Sequence, residues 1–230
     1  MMVGDVIARA TLPLDHIVEC AALFNFGSSA STERPGVVED DLARAVVALF
    51  DQLAARDIDY LLVGGLALLR YIDGRNTEDV DLVVAASDLE RLEGLTIEDQ
   101  ERDFVRARFH GLRVDFLLTE NPVFDHVRRH YVDSFTFRGR TIPCSTVAGL
   151  VLLKLYVLPF LYRQHLFDKV AIYETDVMML LQAHSVEMDA VFEMLKAHLS
   201  SSDVETLREI HREIAAKIET RRRRFIDEPE

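Results

Sequence analysis

The chain has no tryptophan, only two cysteines and only six prolines among its 230 residues. Cys20 and Cys144 stand far apart without a metal-ligand spacing, which predicts two reduced thiols rather than a disulfide or a zinc site. No stretch of eighteen residues is free of charge, so no transmembrane helix is expected. The N-terminal segment lacks a basic region followed by an apolar block, so we expect a cytoplasmic protein without a secretory signal.

Basic residues are also scarce, since 26 Lys and Arg stand against 39 Asp and Glu, for a net charge of -13. Proteins that bind nucleic acid through its backbone usually present a basic surface. An RNA would therefore need a local patch, for which the candidates are Arg106, Arg108, Arg113 and the arginines at 221–224. The last group is also typical of a solvated helix end, where cations suit the helix dipole.

Hydrophobic periodicity divides the chain into a mixed α/β part and an all-helical part of about eighty residues. We expect an N-terminal extension at 1–36 that ends in a turn-rich linker at 26–36. A core domain would then cover 37–144, and a C-terminal helical domain 145–230.

Within the core, an amphipathic helix is expected from Glu39 onward, followed by the strand DIDYLLVGG and the short helix LALLRYI. The segment VDLVV predicts a strand and SDLERLEGL a capped helix. Two hairpins follow, with turns at His110-Gly111 and at Arg138-Gly139. We expect Ser145 to cap the first C-terminal helix and Pro159 to interrupt it.

Two aspartates stand two residues apart in the strand VDLVV. Because strand side chains alternate, Asp79 and Asp81 should point to the same face while Val80 points into the core. Mg²⁺ commonly binds one or two carboxylates together with substrate phosphates. An Asp-x-Asp pair is also frequent in exposed segments without a metal, but here it begins inside an apolar strand.

The glycine pair Gly64-Gly65 ends one strand and opens a helix. Glycines let the backbone approach a phosphate closely, and a helix N-terminus offers free N–H groups to it. A tight strand-to-helix turn without any ligand explains the same pair, so both interpretations stay open.

Asp115 lies in the apolar strand LRVDFLL. A carboxylate there is costly unless it is paired or metal-bound, or unless the strand is an edge strand that faces water. If this strand lies beside VDLVV, Asp115 would face the same metals and could either act as general base or complete a two-metal clamp.

Lys154 is the lone charge in a strongly apolar predicted helix. Such a lysine either extends to the surface or meets acids or phosphates. Asp176 lies on the next predicted helix and also precedes an apolar run.

The order of these motifs resembles the nucleotidyltransferase superfamily, and within it the AbiEii-type toxins. The resemblance covers about residues 40–185. Its first string is GG, a helix and then G-R-x-T-x-D-[IV]-D-L, matched by Gly64, Gly65, Gly74, Arg75, Thr77, Asp79, Val80, Asp81 and Leu82. A later strand acid is matched by Asp115, and a helical lysine followed by an aspartate by Lys154 and Asp176.

The resemblance implies an α/β (α+β) fold, a mixed sheet with flanking helices and a C-terminal helical bundle. It implies Mg²⁺ or Mn²⁺ on Asp79, Asp81 and Asp115, and a nucleoside triphosphate such as ATP held by Gly64 and Gly65. Lys154, Arg75 and Asp176 would serve the nucleotide, while Thr77 would shape the turn. Family members often carry an Arg-x-x-x-[RK]-Asp element after the lysine, which Arg163 and Asp168 match only loosely, so the choice between Asp168 and Asp176 stays open.

The implied reaction is transfer of a nucleotide to an acceptor, in some toxins to the 3′ end of transfer RNA. An RNA acceptor and a cognate antitoxin protein are therefore expected partners. Two alternatives remain. The same fold could modify a small molecule or a protein, or the chain could be a catalytically silent copy that serves as a binding module or antitoxin.

Overall fold

A computed structural model describes residues 35–73, 77, 79–137 and 139–226. In these ranges the strands are β1 (Tyr60–Val63), β2 (Asp79–Val84), β3 (Leu95–Gln100), β4 (Phe104–Phe109), β5 (Leu112–Leu118), β6 (Val132–Phe137) and β7 (Arg140–Ser145). The helices are α1 (Pro35–Ala55), α2 (Gly64–Leu68), α3 (Ala86–Leu89), α4 (Pro122–His130), α5 (Val147–Arg163), α6 (Phe167–Ala183), α7 (Met188–Lys196) and α8 (Ser201–Ile226).

The strands form one mixed sheet in the order β3-β4-β5-β2-β1-β7-β6. Strands β2 and β5 run parallel, as do β1 and β7, and the remaining neighbours are antiparallel. Helices flank this sheet and a helical part follows it, which confirms the predicted fold class.

The centre of the sheet is formed by apolar strands that are covered on both faces. All four residues of β1 are buried, and in β2 only the two aspartates are partly exposed. Runs of this kind are expected for strands deep in a mixed sheet, where packed layers lie on either side. The acids of β2 therefore interrupt an otherwise closed core.

Both predicted hairpins are present. His110 and Gly111 have φ values of 49° and 85°, the left-handed conformation that a tight two-residue turn requires. The turn joins β4 to β5 in an antiparallel register. Strands β6 and β7 form the second hairpin, with Gly139 at a φ of 77°.

Between β2 and β4 the structure differs from the sequence prediction. The expected helix SDLERLEGL reduces to α3, which has four residues and no side-chain cap. Gly94, at a φ of 79°, ends the turn that follows, and the chain then enters β3. This edge strand is mostly exposed, and Leu95 and Ile97 alone alternate with polar residues, which is too short a pattern to identify a strand.

Two predictions about the first C-terminal helix are wrong. The cap of α5 is Thr146, whose side chain accepts from the Gly149 amide, while Ser145 ends β7. Pro159 does not interrupt α5, which continues to Arg163. Buried packing of the helix outweighs the one backbone hydrogen bond that proline removes.

The helix predicted from Glu39 is α1, and Val46, Leu49, Phe50 and Leu53 are buried on its inner face. It begins at Pro35, inside the segment predicted as linker. The rest of that linker and of the extension at 1–36 lies outside the described residues, as does Cys20. Cys144 is buried and forms no disulfide with a described residue, and the expectation of two reduced thiols stays a prediction.

The C-terminal helices pack onto the sheet as well as onto each other. Helix α5 contacts β7, α2 and α4, and α6 contacts α5 and α8. The buried apolar side chains of both parts belong to one continuous core. The division into domains at 144 stays a prediction.

Candidate active site

A cavity of about 590 Å³ lies where the sheet meets the C-terminal helices. Its polar and glycine lining consists of Gly64, Gly65, Thr77, Asp79, Asp81, Arg106, Arg113, Asp115, Lys154, Lys169 and Tyr173. Its apolar lining consists of Val63, Phe104, Leu117, Phe124, Leu150, Leu153, Val157 and Ile172. Cavities of this size commonly accommodate a small organic ligand or cofactor.

The three acids selected from the sequence line this one cavity. Asp81 is the direct partner of Asp115 across the parallel strands β2 and β5, so the two side chains share a face of the sheet. Asp79 lies on the same face, two residues earlier. Strand β5 is internal, and Asp115 is only 8% exposed, so the alternative of a water-facing edge position is wrong.

Each carboxylate is contacted by a different group. The Thr77 hydroxyl donates to Asp79 Oδ1 at 3.1 Å. The Gly65 amide donates to Asp81 Oδ2 at 3.3 Å. Arg106 Nε lies 3.5 Å from Asp115 Oδ1, an oxygen that is buried and accepts no hydrogen bond from the described residues. Asp115 is therefore the least satisfied of the three acids.

The glycine pair is needed for close approach. A Cβ on Gly65 would lie 2.4 Å from Thr77 Oγ1, so a side chain there would collide with the Thr77 hydroxyl. Both glycines line the cavity, while the amide of Gly65 is directed to Asp81. Their role in binding phosphate stays a prediction.

The acids influence each other's protonation. Burial and the charges of Asp79 and Asp115 raise the pKa of Asp81 to about 8, against the smaller opposite effect of Lys154. The pKa of Asp115 is raised as well, by burial and by the Asp79 charge. Like charges repel in a low-dielectric site, so the arrangement favours a cation or a proton among them.

Lys154 lines the cavity from α5 and is buried, so the alternative in which it extends to the surface is wrong. Its Nζ lies 2.8 Å from Asp176 Oδ2 and 4.3 Å from the ring centre of Tyr173. Asp176 is 1% exposed and does not belong to the cavity lining. The structure therefore places Asp176 behind Lys154, where it positions and compensates the ammonium group.

Sequence reasoning overlooked Lys169, which lines the cavity from the first turn of α6. A signal was present, because Lys169, Tyr173 and Asp176 recur at the spacing of one helix face. The hairpin arginines Arg106 and Arg113 also line the cavity, whereas Arg108 does not and instead contacts Glu98 at 2.6 Å.

The remaining predicted candidates lie elsewhere. Arg163 contacts Asp203 of α8 at 2.8 Å, and Asp168 is exposed outside the cavity lining. Arg75 lies outside the described residues. The arginines at 221–224 are exposed on α8, as the solvated-helix interpretation expects.

The donor set suits a divalent cation, because Asp79, Asp81 and Asp115 offer the hard oxygen ligands that Mg²⁺ prefers. Within the described ranges, however, no three His, Cys, Asp or Glu side chains stand together as a ready metal-ligand group. The three acids line one cavity, and metal binding there stays a prediction. In the same part of the chain, no helix combines the length and apolar character needed to cross a membrane.

No family model and no curated protein sequence matches the chain. Among solved structures, it is similar to an antigenic nucleotidyltransferase-like protein from Paracoccidioides brasiliensis, with 17% identity and a TM-score of 0.45 over 72% of this chain and 93% of that one. It is also similar to the solution structure of the antibiotic-resistance factor ANT(2'')-Ia, with 14% identity and a TM-score of 0.42 over 80% of this chain and 99% of that one.

A crystal structure of ANT(2'')-Ia in complex with adenylyl-2''-tobramycin gives 13% identity and a TM-score of 0.41 over 78% of this chain and 98% of that one. At such values the similarity establishes neither membership of a family nor an activity. The AbiEii-type resemblance stays a prediction, and any function has to be inferred from the site itself.

Proposed function

We propose that this protein transfers a nucleoside monophosphate from a nucleoside triphosphate, such as ATP, to an acceptor hydroxyl group. The observation that carries the proposal is the placement of Asp79, Asp81 and Asp115 on paired strands, in one cavity with the buried Lys154. Carboxylates beside a compact cation suit a reaction in which phosphate charge must be bound and redistributed.

The reaction is an in-line displacement. The acceptor oxygen forms a bond to the α-phosphorus, its proton passes to the Asp115 carboxylate, and the bond to the bridging oxygen breaks so that pyrophosphate leaves with the electron pair. The raised pKa of Asp115 brings this carboxylate closer to the value of an effective general base. Asp79 and Asp81, with Asp115, would hold Mg²⁺ or Mn²⁺, which when bound neutralises phosphate charge.

Cations that line the same cavity would bind the triphosphate. Lys154 is oriented by its ion pair with Asp176, and Lys169 and Arg113 line the same cavity. Arg75 belongs to this proposal through the resemblance. The apolar wall of the cavity suits the ribose and base, while Gly64 lets the backbone approach the Asp81 carboxylate closely.

The acceptor is the less constrained part of the proposal. The resemblance favours RNA, including transfer RNA, in a toxin–antitoxin setting with an antitoxin partner. An RNA backbone would then follow a positive strip beside Asp115. Since Arg106 and Arg113 lie inside the cavity and Arg108 is bound to Glu98, the strip is short, which is compatible with a small molecule or protein as acceptor.

The test is to incubate the protein with each α-labelled nucleoside triphosphate, Mg²⁺ or Mn²⁺, and separated RNA, protein and small-molecule fractions of a lysate. We expect label in one fraction, and loss of nearly all label with Asp81→Asn. The control is Asp57→Asn, because Asp57 is exposed and adopts a left-handed conformation that asparagine tolerates. Binding of triphosphate without any labelling would instead favour the catalytically silent binding module.

An RNA acceptor can be separated from the other two classes by Arg108→Glu. Arg108 lies on the hairpin but outside the cavity, so the exchange should weaken RNA labelling and flatten its salt dependence while triphosphate binding stays unchanged. Unchanged RNA labelling would remove this part of the hairpin from the acceptor site.

A further inference from the structure

We propose that Arg106 occupies the position of a displaceable cation at Asp115, so that metal ion and triphosphate bind as a coupled pair rather than independently. The proposal rests on the proposed function. It concerns the contact between Arg106 and Asp115 and the movement of Arg106 when substrate binds.

Arg106 is placed between two acids on neighbouring strands. It is the register partner of Asp115 across β4 and β5, and of Asp99 across β3 and β4. Its Nε lies 3.5 Å from Asp115 Oδ1, and one terminal nitrogen lies 3.7 Å from Asp99 Oδ2. Both distances exceed those of a charge-assisted hydrogen bond, and the arginine side chain is 36% exposed. Arg106 therefore forms only a weak ion pair with each acid.

Arg106 does not fully satisfy the hydrogen-bonding capacity of the Asp115 carboxylate. Its Oδ1 has lost contact with water and accepts no hydrogen bond from the described residues. Asp79 and Asp81, in contrast, each accept a hydrogen bond from the glycine-containing side of the cavity. A buried carboxylate oxygen without a hydrogen bond is unfavourable, and the nearby guanidinium reduces that cost without removing it.

Arg106 and a metal ion would compete for the same carboxylate oxygen, Asp115 Oδ1. A metal ion that entered alone would have to draw Asp115 away from Arg106 and leave that arginine beside a divalent cation. When a triphosphate enters with the metal, Arg106 can leave Asp115 and bind the phosphate oxygens. Asp99, which already lies beside Arg106, is a second anionic partner. Each ligand therefore removes a penalty for the other, which is a positive coupling free energy.

The experiment measures Mn²⁺ binding by electron paramagnetic resonance, with and without a non-hydrolysable ATP analogue. In the wild type we expect the analogue to raise Mn²⁺ affinity. Arg106→Gln should raise Mn²⁺ affinity without nucleotide about tenfold and reduce the coupling to the analogue, within the usual range for linked sites.

The matched control is Arg108→Gln. Arg108 lies on the same strand and the same face, two residues away, and loses the same charge, but it contacts Glu98 rather than an acid of the cavity. We expect it to change Mn²⁺ affinity less than twofold. Equal effects of the two exchanges would overturn the proposal, because the effect would then be general electrostatics.

A second pair of variants changes the acid partners. Asp99→Asn removes the alternative partner of Arg106, so the arginine should stay at Asp115 and Mn²⁺ affinity without nucleotide should fall. Glu98→Gln removes the same charge nearby without touching Arg106, and should have a smaller effect. An equal fall in both variants would contradict the proposed role of Asp99 and with it the displacement of Arg106.

These outcomes separate the two proposals. If the wild type binds Mn²⁺ neither alone nor with the analogue, the proposed nucleotidyl transfer fails, and the inference fails with it. If the wild type binds both ligands without coupling, only the inference fails. Thermal unfolding of each variant identifies any that does not fold, and Arg106→Lys, which keeps the charge, should then retain part of the coupling.

Discussion

Gly64 and Asp81 leave no space for a side chain between them. A Cβ on Gly64 would lie 1.9 Å from Asp81 Oδ2, and Gly64 itself adopts a φ of 64°. The end of β1 and the acid of β2 have therefore approached as closely as a peptide backbone permits. The placement of this carboxylate in the cavity depends on the missing side chain.

Gly64→Ala should consequently displace Asp81, abolish the proposed nucleotidyl transfer and destabilise the protein by roughly 1–3 kcal/mol, from backbone strain together with the collision. Gly111→Ala is the matched control, because Gly111 also has a positive φ but a Cβ there would meet nothing within 4 Å. It should show the strain alone and keep its activity. Urea unfolding and labelling measure both, and equal losses of activity would contradict the close-approach argument.

The raised pKa of Asp81 predicts a pH-dependent stability. Because burial and neighbouring acids disfavour the charged form, the folded pKa of about 8 exceeds the unfolded value. The stabilising contribution is fully present below about pH 4 and is lost as pH rises through 8. Asp81→Asn should therefore be more stable than the wild type at pH 8, by a few kcal/mol at most, and the difference should disappear toward pH 4. Urea unfolding across this range measures it, and a constant difference would contradict the assignment.

The buried pair Lys154–Asp176 predicts a rescue. Asp176→Asn removes the carboxylate that lies 2.8 Å from the buried ammonium group and should cost about 3 kcal/mol of stability. The double variant Lys154→Met with Asp176→Asn should regain most of this loss but still fail to bind triphosphate. The single variant Lys154→Arg should retain little of the triphosphate binding of the wild type, because a planar guanidinium does not replace a compact ammonium group here. Triphosphate binding by the stable double variant would exclude Lys154 from the substrate site.

Cys144 should be inert in the folded protein. Burial raises the pKa of its thiol to about 12, so that hardly any thiolate exists at pH 8. In a Cys20→Ser background, a thiol-specific disulfide reagent should react with Cys144 only as fast as the protein unfolds. Rapid reaction at pH 8 without denaturant would show that β7 opens locally.

The acid site could be predicted from the sequence because its signals are local. Alternation within VDLVV places Asp79 and Asp81 on one face, and an acid inside LRVDFLL is conspicuous. The pairing of their strands could not be derived, because parallel neighbours are joined by long connections that carry no turn signal. The sequence therefore predicts a common face for Asp81 and Asp115 only if their strands are neighbours. The register of β2 and β5 shows that they are.

Three other features could not be predicted because the sequence carries no clear local signal for them. Strand β3 is polar and exposed at the sheet edge, so periodicity does not mark it. Helix α4 begins after Asn121, which caps it, and no helix was predicted there. The contact between Lys154 and Asp176 depends on how α5 and α6 pack, which a single sequence does not specify.

The parallel pairing of β2 with β5 also has a consequence for how this protein is made. Hairpins such as β4–β5 can form early and locally, but a parallel pair closes only after the intervening chain has been synthesised and folded back. Asp81 and Asp115 therefore meet late. A nascent or partly folded chain carries the acids without the site, so any activity that depends on both acids should appear only with the finished fold.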